Sequence, residues 1–126
     1  MAGNDTLIGG LGVDKLSGGS EADIFKYNSV DDSGITSKTR DTITDFNSAE
    51  GDKIDLSAID ANLKLKDDQA FTFIGNKAFS NTDATGQLRF DSVSHILYAS
   101  TDADNIPEFS ILLSGVKSLI VDNLIL

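Results

Sequence analysis

The 126-residue sequence predicts an all-β protein: a short parallel β-roll fused to an antiparallel β-rich, sandwich-like C-terminal part. Three observations carry that prediction. A nine-residue repeat opens the chain, and alternating polar and apolar segments separated by turn residues fill its second half. A hydrophobic content of 40% that includes seven Phe signals a packed core rather than a disordered acidic tail. The expected division is a roll over residues 1–27 and a capping and tail region over residues 28–126, together one fused structural unit.

At a step of nine, Asp5, Asp14 and Asp23 fall in one column and Leu7, Leu16 and Phe25 in another. Gly9 stands over Gly18, Gly10 over Gly19 and Gly3 over Gly12. The unit reads GGxGxDxUx, the signature of a calcium-binding parallel β-helix repeat. Glycines admit positive φ, so a six-residue turn is able to aim successive carbonyl oxygens at one point, and the Asp that closes the turn adds a carboxylate. A hard cation that takes six to eight oxygens at about 2.3–2.6 Å is satisfied by such a set, which describes Ca²⁺ better than Mg²⁺ or Zn²⁺.

The three residues after each Asp form a short strand whose middle member faces inward. Two repeats make one coil, so the turns ending at Asp5 and Asp23 share one side and the turn ending at Asp14 lies opposite. The expected ligands are Asp5 with Asp23, and Asp14 with help from Asp32 and Asp41 in the segment that follows. The carbonyl oxygens of Gly9, Leu11, Gly19 and Glu21 are expected to join them. One inward side chain per nine ordered residues returns too little to offset the backbone entropy, so the roll is expected to need its metal.

Two positions depart from the repeat. Glu21 stands where the pattern has Gly, which predicts strain or a variant turn there. Met1 and Ala2 stand where Gly-Gly is expected, which implies further repeats upstream.

Residues 29–40, SVDDSGITSKTR, are polar and turn-rich and read as a loop. Its Asp31 and Asp32, with Asp41 and Asp45 beyond, stand where the turn ending at Asp14 lacks a later repeat, and Asp41 is the preferred substitute ligand. Asp41–Phe46 and Gly51–Leu56 alternate as short strands around a turn at residues 47–51. Ser57 to Asn62 reads as one helical turn capped by Ser57. From Ala70 onward, AFTFIG, QLRF, HILYAS and EFSILLS predict an antiparallel meander over the open end of the roll, with their Phe residues in the core. STDADNIPEF places acids at Asp102, Asp104 and Glu108 but lacks the Gly and final Glu of a calcium loop, so it reads as a hairpin turn. His95 reads as a strand residue.

The charge of −10 works against phosphate backbones and anionic lipid surfaces, so neither nucleic acid nor membrane is an expected partner. The absence of Cys removes disulfides and thiolate chemistry, and a single His leaves too few nitrogens for a usual zinc site. The start, MAGNDTLIGG, has neither the basic nor the apolar part of an export signal. No HExxH, phosphate loop or nucleophile triad is present, so a non-catalytic module is expected.

GGLGVDKLSGGSEADIFKY, DTITDFNSAEGDKIDLSAIDAN, QAFTFIG, GQLRF and the final VDNLIL resemble the repeats-in-toxin proteins, in particular the carboxy-terminal domain of serralysin-type proteases and related secreted lipases. That resemblance implies a calcium-binding module that folds on Ca²⁺ outside the cell and is exported by type I secretion machinery. It also implies an uncleaved address in the last residues, which Asp122, Asn123, Leu124, Ile125 and Leu126 resemble, and an upstream protease or lipase in the parent protein. On this reading the chain is secreted and monomeric, and the tail is expected to be separable from folding of the roll. The alternative is a calcium-dependent polysaccharide-binding or adhesive module.

Overall fold

The computed structural model describes residues 3–62 and 69–126 and is all-β. Its strands are β1 (Thr6–Leu7), β2 (Lys15–Leu16), β3 (Ile24–Lys26), β4 (Asp41–Ile43), β5 (Lys53–Asp55), β6 (Thr72–Phe73), β7 (Gln87–Asp91), β8 (Ile96–Ala99), β9 (Phe109–Leu113) and β10 (Leu124–Ile125). Among the described residues the helical segments are single 3₁₀ turns. Met1 and Ala2, which stand where the first turn's Gly-Gly is expected, lie outside the described residues.

The nine-residue columns become strand register. β1, β3, β5 and β10 form one wholly parallel sheet in which Leu7, Phe25, Ile54 and Leu124 stand in line. On the opposite wall β2, β4 and β9 run parallel and align Leu16, Ile43 and Leu113. Both lines feed one core that also takes in Leu88, Phe90, Leu97, Phe109 and Ile111. Leu7 and Leu16 are only partly buried, because each belongs to the outermost coil.

Parallel pairing therefore continues past residue 27 through β4, β5, β9 and β10. β7, β8 and β9 form the expected antiparallel meander, joined edge-on to the second sheet of the roll. The AFTFIG segment departs from it: β6 pairs with β7 in parallel, because the intervening residues 74–86 form a crossover that brings the chain back to the starting end of β6 instead of a tight hairpin turn.

Three further expectations change. Residues 57–58 make a turn rather than a helical turn, and the capping acceptor is Asp55, whose carboxylate takes both the N–H and the hydroxyl of Ser57. His95 precedes β8 in a four-residue turn and has a φ of +62°, so it closes the hairpin rather than lying in a strand. The tail is a structural strand: β10 pairs with β5, Leu124 is buried, and Leu126 packs against the core.

Candidate metal centre

Each repeat turn is shaped by its own Asp. In the turns ending at Asp14 and Asp23, the carboxylate folds back across the first glycine. A Cβ on Gly9 would lie 2.7 Å from Asp14 Oδ2, and one on Gly18 would lie 2.2 Å from Asp23 Oδ2. Only glycine fits beneath those carboxylates.

The Asp residues of successive coils are stitched by the backbone. On one side the Asp5 N–H donates to Asp23 Oδ1 and the Asp23 N–H to Asp52 Oδ1, both at 2.9 Å. On the other side the Asp14 N–H donates to Asp41 Oδ1 at 2.9 Å. The structure thus brings Asp5 to Asp23 and Asp14 to Asp41.

In four of these five residues a carboxylate oxygen is left over. Oδ2 of Asp5, Asp14, Asp23 and Asp41 is buried without a hydrogen-bond partner among the described residues. The described hydrogen bonds also leave the carbonyl oxygens of Gly9, Leu11, Gly19 and Glu21 unused. Buried carboxylate oxygens with no donor are costly, and the cost is relieved when a cation takes them. Carboxylates and free turn carbonyls make an all-oxygen donor set, so the residues present fit Ca²⁺.

Asp32 reaches the same neighbourhood as Asp14 and Asp41. It is buried, and its Oδ2 accepts the Asn28 N–H at 3.0 Å. The loop around it is pinned to β9 by polar bonds: the Ser33 hydroxyl donates to the Ser110 carbonyl, the Ser110 hydroxyl to the Gly34 carbonyl at 2.6 Å, and Arg40 Nε to Ser110 Oγ at 2.7 Å. Asp31 is exposed. Burial, followed by the charge of Asp14, pushes Asp41 up to about 6 despite the N–H it accepts from Asp14. Burial, then Asp41, pushes the Tyr27 phenol far above its usual range, so it stays protonated.

Glu21 has a φ of +75° where its equivalent, Gly12, has +95°, so the departure from the repeat appears as backbone strain in an otherwise conserved turn shape. Its N–H is held by Glu50 Oε2 at 2.6 Å.

Glu50 belongs to a turn the repeat reading missed. Residues 47–52, NSAEGD, stack on residues 18–23, GGSEAD, and both end in Asp. Six-residue spacing and a terminal Asp were the available signal, masked by the loss of both leading glycines. Asp52 differs from the four residues with an unpaired Oδ2 because its own Oδ2 accepts the Asn47 N–H at 2.9 Å, so the run of unpaired oxygens ends there. Burial raises Asp52 despite these bonds. Asp45 caps the turn beneath it: against burial, the Ser17 hydroxyl and the N–H groups of Gly19 and Gly18 hold it below the usual carboxylate range.

Residues 100–108 connect β8 to β9 as the expected hairpin loop. Oxygens of Asp102, Asp104 and Glu108 nevertheless converge within 4.8 Å of one another. Burial, then Asp102 and Asp104, raises Glu108, and its Oε1 accepts the Thr101 N–H at 2.7 Å.

Among the described residues no helix is long and apolar enough to cross a membrane. No curated protein matches the chain. Among solved structures, the solution structure of the AlgE6R3 subunit from the Azotobacter vinelandii mannuronan C5-epimerase is 29% identical, with a TM-score of 0.59. The match covers 98% of this chain and 64% of that one. A family profile described as "Peptidase M10 serralysin C terminal" matches residues 2–126. Repeat columns, parallel roll and profile agree, and the chain belongs to the serralysin C-terminal family of M10 peptidases, a repeats-in-toxin calcium-binding module.

Proposed function

We propose that this chain is the non-catalytic, calcium-folded C-terminal module of a type I-secreted extracellular protein whose upstream part carries the activity. The observation that carries the reading is the set of four buried, unpaired carboxylate oxygens, Oδ2 of Asp5, Asp14, Asp23 and Asp41, together with turn carbonyls in the same repeats that the described hydrogen bonds leave unused. Asp5 and Asp23 hold one ion, and Asp14 and Asp41 with Asp32 hold another. The carbonyls of Gly9, Leu11, Gly19 and Glu21 complete the shells. Calcium, when bound, supplies the positive charge that the stacked carboxylates lack. The chain's own residues do the rest: glycine-dependent turns aim the carbonyls, and Oδ1 of Asp23 and of Asp41 ties one coil to the next. Low calcium in the cell leaves the roll unfolded and threadable, and calcium outside completes it.

The test is a calcium titration followed by far-ultraviolet circular dichroism and thermal denaturation. Ca²⁺ is expected to raise β content and Tm while Mg²⁺ at equal concentration does much less. At a concentration ten times its Kd, each site adds about 1.4 kcal/mol. Asp14→Asn and Asp23→Asn should each remove part of the response, whereas Asp102→Ala should leave it nearly whole. Equal responses to the two ions, or a larger loss from Asp102→Ala, refute the assignment. Export of the parent chain through a matching type I channel, with and without Leu124–Leu126, tests the address.

One observation favours the polysaccharide-binding alternative. Phe79, Arg89, Asp91, Tyr98, Asn105 and Pro107 line an open cleft of about 260 Å³, with the Arg89 guanidinium 5.8 Å from the Phe79 ring and 5.7 Å from that of Tyr98. Aromatic faces beside a cation suit a sugar carrying a carboxylate. Retention on an acidic polysaccharide with calcium, lost in Arg89→Ala, would favour that reading; no retention would dismiss it.

A further inference from the structure

Tyr27 follows β3 and is 1% exposed. Its N–H donates to the Asp55 carbonyl at 3.0 Å, and its ring stands edge-on to Phe109, with centroids 5.2 Å apart at 78°. A phenylalanine would satisfy both contacts, so packing does not call for the hydroxyl.

That hydroxyl is buried and has no partner of full hydrogen-bond geometry among the described residues. The acids that act on it electrostatically are Asp41, Asp14 and Asp32, and the Oδ2 atoms of Asp41 and Asp14 are, like the hydroxyl, buried without a hydrogen-bond partner among the described residues. Asp41 itself enters with one oxygen committed to the Asp14 N–H and the other unpaired. A buried phenol that lacks an acceptor and a metal-assigned carboxylate oxygen that lacks a donor thus lie within electrostatic reach of each other.

We propose, resting on the calcium reading above, that Tyr27 is a positioning residue of the Asp14–Asp41 centre: its hydroxyl donates to Asp41 Oδ2 and turns that carboxylate's remaining lone pair toward the ion. Asp41 is then held at both oxygens, by a backbone N–H on one and a phenol on the other. The Asp5–Asp23 centre has no such partner among the described residues, so the two centres differ in their dependence on Tyr27.

The chain has two tyrosines and no tryptophan, so tyrosine-sensitised terbium luminescence reports the distance from a bound ion to one of two known rings. The other ring, Tyr98, pairs across from Arg89 on the outer meander. Terbium bound to the full chain is expected to emit on tyrosine excitation, with emission retained in Tyr98→Phe and lost in Tyr27→Phe. Calorimetry on Tyr27→Phe is expected to show one calcium site weakened about tenfold or more and the other unchanged. Should Tyr27→Phe fail to fold, Tyr98→Phe still decides, because Tyr27 is then the only phenol and calcium should shift its absorption.

Terbium bound without sensitised emission, emission lost in Tyr98→Phe, or Tyr27→Phe binding calcium with unchanged affinity would each overturn this role while leaving the calcium reading intact. Failure of the chain to bind either ion would overturn both.

Discussion

Glu21 and Asp41 show how a single position records its backbone and its burial. Glu21 holds a left-handed φ of +75° without being glycine, a conformation that costs an ordinary residue about 1–2 kcal/mol. Glu21→Gly keeps the N–H that Glu50 accepts, so it should raise stability by about 0.5–1 kcal/mol after the extra chain entropy of glycine is counted. Chemical denaturation with calcium present checks this. Asp41, raised to about 6 by burial, sets a pH dependence. Its folded pKa exceeds its unfolded one, so without metal the folded state gains protons first, and stability should increase as pH falls from about 7 to about 5. Asp52 and Glu108, also raised, act in the same direction. Asp45 and Asp91 are lowered, so their contribution is lost at still lower pH. In saturating calcium the sign should reverse over the first interval, because protons then compete with the ion for Asp41. Melting curves across pH, in chelator and in calcium, measure both slopes.

At the scale of elements, β10 decides whether the tail is an appendage. Leu124 extends the inward line of Leu7, Phe25 and Ile54, and the Leu56 N–H donates to the Ile125 carbonyl at 2.9 Å. Leu124→Ala should therefore cost about 2–3 kcal/mol, and deletion of Leu124–Leu126 more, read as a lower Tm in saturating calcium. The expectation that the tail is separable from folding gives way to a fold that uses it as a fourth strand. An address in these residues would be readable only before the strand docks.

The whole molecule carries a charge of −10, and much of the acid stands in columns one strand apart. Strands pack about 4.8 Å apart, so carboxylates in successive coils repel strongly until a cation intervenes. Monovalent salt should accordingly raise the Tm of the metal-free chain, and raise it much less once calcium is bound. Thermal melts over a salt series in chelator and in calcium test this; equal slopes would mean that the columns do not dominate the electrostatics.

The nine-residue period was enough to determine the β-roll, the side on which each turn lies, the inward Leu and Phe line, and the pairing of Asp5 with Asp23, because repeat geometry is local and each column follows from counting. Asp41 was legible for the same reason, since it resumes an Asp-x-Ile strand after the loop. The turn at residues 47–51 was legible as a turn between two strands but not as a further repeat turn ending at Asp52, because stacking on residues 18–23 substitutes for the glycines that would have marked it. Nor was the docking of the tail, which depends on Ile54 offering an open edge some 70 residues earlier in the chain. The assembly of Tyr27 with Asp14, Asp32 and Asp41 was likewise decided only in three dimensions. Those side chains come from different coils and a connecting loop, and they come within electrostatic reach of one another with that loop bound to β9 through Ser33, Arg40 and Ser110.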